Sequence, residues 1–224
     1  MEYQNQSKYE CLLFDVDDTL YPLSSGLSAQ CTKNIIEYMG NELDIDESKV
    51  LEMNGKLYRE YGTSMAGLRA FGYDFDYDNY HSFVHGRLPY ENLKPDPVLR
   101  SLLHSLPIRK VGSVIGYEND SELPESPIVC KPFENAFQQA FKLANINPRK
   151  TLFFDDSIRN IQTSKLTGLT TVLVGSSQRK TGVDYALESI HNIREALPEL
   201  WEGVSKSLNV SLSQKIAMET PVEA

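Results

Sequence analysis

Long apolar runs are missing from this 224-residue chain, and nothing in it approaches the ~20 consecutive apolar residues of a bilayer-spanning helix. Basic charge is in deficit. Lys and Arg number 22 against 31 Asp and Glu, a formal net charge of −9, which speaks against a protein built to grip nucleic-acid phosphates. Cysteine is scarce: the three residues, at 11, 31 and 130, fit neither a CxxC pair nor a disulfide framework. A reducing compartment is the simple expectation, the cytoplasm or the nucleus. The opening MEYQNQSKYE is polar and carries two acids, so no secretory leader is expected. Repeats and low-complexity tracts are absent as well. What is there is ordinary for a globular protein, 41% hydrophobic and 24% charged, with length for one medium domain or one domain with an insertion.

Cys11-Leu12-Leu13-Phe14 is an apolar run of strand length that stops at Asp15-Val16-Asp17-Asp18-Thr19, with Pro22 barring simple continuation. From 24 to about 99 the periodicity is helical. Leu27, Cys31, Ile35 and Met39 form one stripe, and Val50, Met53, Leu57 and Tyr61 another, closed by Gly62. Thr63 or Ser64 is placed to cap a short helix, Asp78 another around Tyr80 to Val84, and Asp96 a third with Pro97 in its first position. Ile108 to Ile115 reads as a strand. Helix follows Lys131-Pro132, strand covers Thr151 to Phe154, helix runs to Gly168, and strand covers Thr170 to Val174. Asp184 to Leu197 reads as a closing helix.

Alternating strand and helix predicts an α/β fold, a Rossmann-like parallel sheet covered on both faces. The helical stretch has no strand of its own, so it reads as an inserted cap. The expected division is a discontinuous core, 8–22 and 100–205, a helical cap, 23–99, and a flexible tail, 206–224.

Ligands of open parallel sheets bind at the carboxyl ends of the strands, and two of these strands end in acids. Asp15, Asp17, Asp155 and Asp156 converge if strands 8–14 and 151–154 lie side by side. Carboxylates ~4 Å apart repel by about 4 kcal/mol per pair at an effective dielectric of 20, which a divalent cation relieves. Hard oxygen ligands point to Mg²⁺. Lys131, just ahead of a helix that opens on Pro132, suits an anion such as phosphate. One acid pair at a strand end is commonly a turn or a cap. Two such pairs with a Lys-Pro helix opening between them are better explained by a site.

Asp15-Val16-Asp17-Asp18-Thr19-Leu20 resembles the DxDxT motif of the haloacid dehalogenase superfamily, and Lys131-Pro132 and Phe153-Phe154-Asp155-Asp156-Ser157 resemble its third and fourth motifs. Asp15 through Tyr21-Pro22, the Tyr61-Gly62-Thr63 step and Asp155 through Asn160 are similar, more narrowly, to pyrimidine 5'-nucleotidase-like phosphatases of plants and fungi. The resemblance runs from about 8 to 203. It implies a Mg²⁺-dependent phosphomonoester hydrolase with Asp15 as nucleophile, forming an aspartyl-phosphate, and Asp17 as general acid and base. It implies that Asp15, the Asp17 carbonyl, Asp155 and Asp156 hold the metal, that Lys131 neutralises charge, and that Thr19 shapes the loop beside the substrate. The implied partner is a small phosphorylated metabolite such as a nucleoside monophosphate, neither nucleic-acid polymer nor membrane.

The family's second motif, a Ser or Thr at the tip of the next strand, has no clean match. Ser113 is the hydroxyl at the expected place, and Val114 follows it. Only 17 residues, 114 to 130, separate Ser113 from Lys131. A βαβ unit takes roughly 30 residues, so one α/β unit of the family's usual interval is expected to be missing. Either Ser113 supplies the phosphoryl-binding hydroxyl, or the strand at 108–115 is a later one, motif two is absent and a sheet edge is exposed. The second case is a shortened, impaired or non-catalytic relative with a binding or regulatory role. A dehalogenase is disfavoured because Asp17 and Asp18 suit metal-dependent phosphoryl transfer.

Other features have plainer readings. Seven aromatics between 71 and 90 suit packing better than nucleobase stacking. His81 and His85 have i, i+4 spacing without a third ligand in view. Cys130 reads as a buried, inert thiol, and Arg69 and Arg87 as solvated surface.

Overall fold

The computed structural model describes residues 8–112, 116–117 and 126–201. Ser113 and the tail 206–224 lie outside the described residues. Along the chain come β1 (Cys11–Phe14), helices α1 (Leu27–Asn41), α2 (Glu47–Tyr61), α3 (Ser64–Ala70), α4 (Tyr77–Val84) and α5 (Pro97–Ser105), then β2 (Arg109–Gly112). Short strands β3 (Gly116–Tyr117) and β4 (Ile128–Val129) follow, then α6 (Glu134–Ala144), β5 (Thr151–Asp155), α7 (Ile158–Leu166), β6 (Thr170–Val174), β7 (Tyr185–Leu187) and α8 (Ile193–Ala196).

Five strands form a sheet in the order β2-β1-β5-β6-β7, with every pairing parallel. The central strands are largely apolar and buried almost end to end because both faces are covered. On one face Leu12, Phe14, Leu152, Phe154, Val172 and Val174 share a cluster with Leu99 of α5 and Ile193 of α8. On the other, Cys11, Leu13, Phe153 and Leu173 meet Phe137 of α6 and Ile161 of α7. Alternation along each strand thus builds two separate layers.

Helices α1 to α4 pack around a third cluster, which includes Tyr38, Met39, Val50, Leu57, Leu68, Tyr80 and Val84 and takes in Ile128 and Cys130. Tyr38 meets Phe75, Tyr80 and Phe83 edge-on at 5.0–5.9 Å between centroids, so these aromatics are core. Gly62 closes α2 in the left-handed region, φ 81°. The Thr63 hydroxyl caps α3 by accepting from the Ala66 N–H, and Asp96 caps α5 by accepting from the Leu99 N–H.

Two expectations are corrected. The N-cap of α4 is Asp76, not Asp78: Asp76 has an extended backbone and accepts from the Asn79 N–H at 2.7 Å, which leaves Asp78 inside the first turn. The strand expected at 108–115 is present from Arg109 to Gly112 as β2, paired with β1, and its expected end at 113–115 lies outside the described residues. Asp184 to Leu197 is not one helix. Residues Tyr185–Leu187 extend the sheet beside β6, and only Ile193–Ala196 is α-helical. The free edge of β6 and the anchoring of Asp184 on Thr171 and Lys165 outweigh helix periodicity there.

No helix among the described residues is long and apolar enough to cross a membrane.

Candidate active site

The register of the sheet sets the site. Phe14 pairs with Phe154 across β1 and β5, so the next residues, Asp15 and Asp155, leave the same end of adjacent strands. The Asp15 N–H donates to Phe154 O at 2.8 Å and carries the alignment one residue further.

Lys131, beyond β4 and before a cis Pro132, sets its ammonium between these two acids. Its Nζ donates to Asp15 Oδ1 at 2.5 Å and to Asp155 Oδ2 at 2.8 Å. Asp155 is wholly buried. It also accepts from the Ser157 N–H at 2.8 Å and from Asn160 Nδ2 at 3.0 Å on both oxygens. Burial pulls the Lys131 ammonium down, but the charges of Asp155 and Asp15 outweigh it and hold its pKa above the ordinary lysine value.

Thr19 joins the two acidic loops. It is buried; its hydroxyl accepts from the Asp156 N–H at 3.1 Å and lies 3.2 Å from Asp15 Oδ2. Asp18 has a left-handed backbone, φ 56°, and accepts from Ser28 Oγ of α1 at 2.5 Å. Its other oxygen, Oδ1, is buried without a partner. Asp17 is exposed and accepts from the Tyr21 hydroxyl at 2.6 Å. Loss of water on its inner side, and then the charges of Asp155, Asp15 and Asp18, push the Asp156 carboxyl up to about 6.

Asp15, Asp18, Asp155 and Asp156 therefore share one neighbourhood with a single ammonium. Among the described residues no three His, Cys, Asp or Glu side chains form a ready ligand set, and Lys131 stands between Asp15 and Asp155. The donor chemistry nevertheless fits a hard divalent cation. The donors are carboxylate oxygens, three of the four negative charges are uncompensated, and Asp18 Oδ1 lacks a partner.

Sequence reasoning placed Arg159 and Asn160 within a matching stretch but gave them no role, and it missed Ser28. Asn160 lies in the first turn of α7, five positions after Asp155, and its amide reaches back to both oxygens of that carboxylate. Arg159 turns away from the acids toward carbonyls of α2, a contact that no local pattern announces. His81 and His85 place their Nδ1 atoms 3.0 Å apart. Arg69 pairs with Asp74 and Arg87 with Glu37 near the surface. A groove of about 340 Å³ between α5 and β2, lined by Asp96, Leu99, Arg100, Leu103, His104 and Lys110, includes neither Asp15, Asp18, Asp155 nor Asp156.

CbbY from Rhodobacter sphaeroides, in complex with phosphate, superposes with a TM-score of 0.54 at 16% identity, covering 86% of this chain and 99% of that one. The fold is haloacid dehalogenase-like. A haloacid dehalogenase (HAD) phosphatase from Thermococcus onnurineus matches with a TM-score of 0.50 at 14% identity, over 83% of this chain and 96% of that one. Over 100 residues the chain is 33% identical to phosphate metabolism protein 8 of Saccharomyces cerevisiae. That match takes in 44% of this chain and 31% of the yeast protein, so the chain spans about a third of its relative. No protein-family model matches.

Proposed function

We propose that the chain is a Mg²⁺-dependent phosphomonoester hydrolase that works through an aspartyl-phosphate. The observation that carries the reading is the Lys131 bridge between Asp15 and Asp155 at the carboxyl ends of neighbouring parallel strands. A carboxylate nucleophile must approach a phosphate dianion, and a fixed cation on that carboxylate lowers the repulsion. Asp15 attacks phosphorus in line, displacing the alcohol oxygen. Asp17, exposed beside Tyr21, gives its proton to that oxygen and later takes one from the water that opens the acyl-phosphate. Thr19 holds the loops of Asp15 and Asp156 at fixed spacing. Asp15, the Asp17 carbonyl, Asp155 and Asp156 would hold Mg²⁺. Bound there, the ion supplies charge neutralisation at the phosphoryl oxygens.

Helices α1 to α4 serve in this reading as a cap over the acids, linked to the catalytic loop by Ser28 and Asp18. The substrate is a small phosphomonoester, with pyrimidine 5'-nucleotides first in line on the resemblance at 15–22 and 155–160. Three free thiols suit a reducing compartment such as the cytoplasm.

A second reading rests on β2. It is the first neighbour of β1, which supports Ser113 as the phosphoryl-binding hydroxyl, yet among the described residues it is also the edge of the sheet. A chain lacking the strand beyond it would bind phosphate weakly and turn over slowly. The test is phosphate release from a panel that includes uridine and cytidine monophosphates, with and without Mg²⁺. Release that depends on Mg²⁺ and disappears in Asp15→Asn supports hydrolysis. Equal rates in the two proteins leave the non-catalytic reading.

A further inference from the structure

The C-terminal corner of α2 is held by both segments that carry the site. From the first turn of α7, Arg159 donates through Nη2 to Arg59 O at 2.7 Å and through Nη1 to Tyr58 O at 3.3 Å. Its guanidinium lies 5.5 Å from the centroid of the Tyr58 ring. From the other side the Cys130 thiol donates to Tyr61 O at 3.1 Å. Gly62 then packs directly on Lys131: a Cβ built at Gly62 would stand 2.2 Å from Lys131 O.

The placement of Arg159 is informative. A cation in the first turn of α7 opposes the dipole of its own helix, whereas at the end of α2 it meets the negative pole. Asp155 and Asp156 lie four and three positions earlier, within a turn, yet the guanidinium gives its donors to carbonyls about 100 positions away in sequence. Arginine suits this because one planar fork serves two acceptors and stacks on a ring as well.

These contacts close a ring. From Asp155 the chain enters α7, Arg159 grips α2, the corner of α2 bears on Lys131, and Lys131 Nζ returns to Asp155 at 2.8 Å. We propose that Arg159 is a positioning residue for Lys131, setting through the α2 corner how Lys131 Nζ meets Asp15 and Asp155. The proposal deepens the phosphatase reading, in which Lys131 neutralises the nucleophile, but the geometry it concerns can be measured without turnover.

The experiment is limited acetylation with acetic anhydride, with labelling at Lys131 compared against exposed Lys142 as reference. Wild type, Arg159→Ala and Arg159→Lys are compared after thermal melting has shown each to be folded. Lys131 is expected to label slowly in wild type and about tenfold faster in Arg159→Ala, with Arg159→Lys between them. Should Arg159→Ala not fold, Arg159→Lys decides alone. Unchanged labelling of Lys131 in the folded variants overturns the proposal. Where wild type hydrolyses phosphomonoesters, kcat falls about tenfold in Arg159→Ala with KM nearly constant, and the same change costs nothing further in a Lys131→Ala background. An additive loss there also overturns it. A wild type without turnover removes the phosphatase reading and leaves the labelling result to judge Arg159.

Discussion

Phe14 and Phe154 stack with ring centroids 4.6 Å apart and planes 20° from parallel, and the residue after each is an acid of the site. Packing and site geometry are therefore joined at one pair of strands. The apolar side of the joint is fully buried, and its register decides where the two carboxylates emerge.

Phe154→Ala should cost about 3–5 kcal/mol of stability, since it empties a wholly buried aromatic position and removes a ring contact. Urea unfolding measures it. A cost below about 1 kcal/mol would contradict the packing described here.

Asp156→Asn should act in opposite directions with and without metal. Burial first, and then the neighbouring carboxylates, push Asp156 up to about 6; an amide there relieves both costs, so the metal-free variant should melt higher than wild type. Millimolar Mg²⁺ should then raise its Tm less than it raises that of wild type. Equal metal-induced shifts would remove Asp156 from the ligand set.

Asp184 supplies a pH test. Partial burial alone would raise its carboxyl, but hydrogen bonds from Lys165 and the Thr171 N–H outweigh that and hold its pKa below the ordinary 3.8. A depressed folded value means that the stabilisation is fully present above about 3.8 and fades as pH falls through the folded value. Asp184→Asn should therefore lose about 1 kcal/mol at neutral pH and show a shallower loss below pH ~4. Chemical denaturation across that range checks the sign.

Gly67→Ala should destabilise by about 1–3 kcal/mol through overpacking, because an added Cβ would stand 2.7 Å from Leu57 Cβ and Cδ2. Leu57→Ala in the same chain makes room for it. Together the two changes should cost less than their sum, and a double-mutant cycle in urea gives the coupling.

The strands that form the centre of the sheet were legible because they are unbroken apolar runs ended by acids: Cys11–Phe14 and Thr151–Asp155. The approach of Asp15 to Asp155 and the run of helices between β1 and β2 could be read from the same punctuation. Strand β7 was not legible. Three residues, Tyr185–Leu187, carry too little period to show a strand, and what makes them one is the free edge of β6. Asp76 and Asp78 are equally good cap residues in a strictly alternating stretch, and only backbone conformation separates them. Arg159 is the clearest loss. Its partners are main-chain carbonyls of α2, and a carbonyl has no letter in the sequence.

Strand β1 has its site-forming neighbour in β5, and Asp15 meets Asp155 only after 140 further positions of chain. During synthesis the first acid thus leaves the ribosome long before the strand that completes it. Its apolar strand must wait unpaired on that side while α1 to α4, whose contacts are closer in sequence, are free to assemble. Substitutions that slow the arrival of β5 should therefore show first as lost soluble yield in cells, ahead of any change in the finished protein.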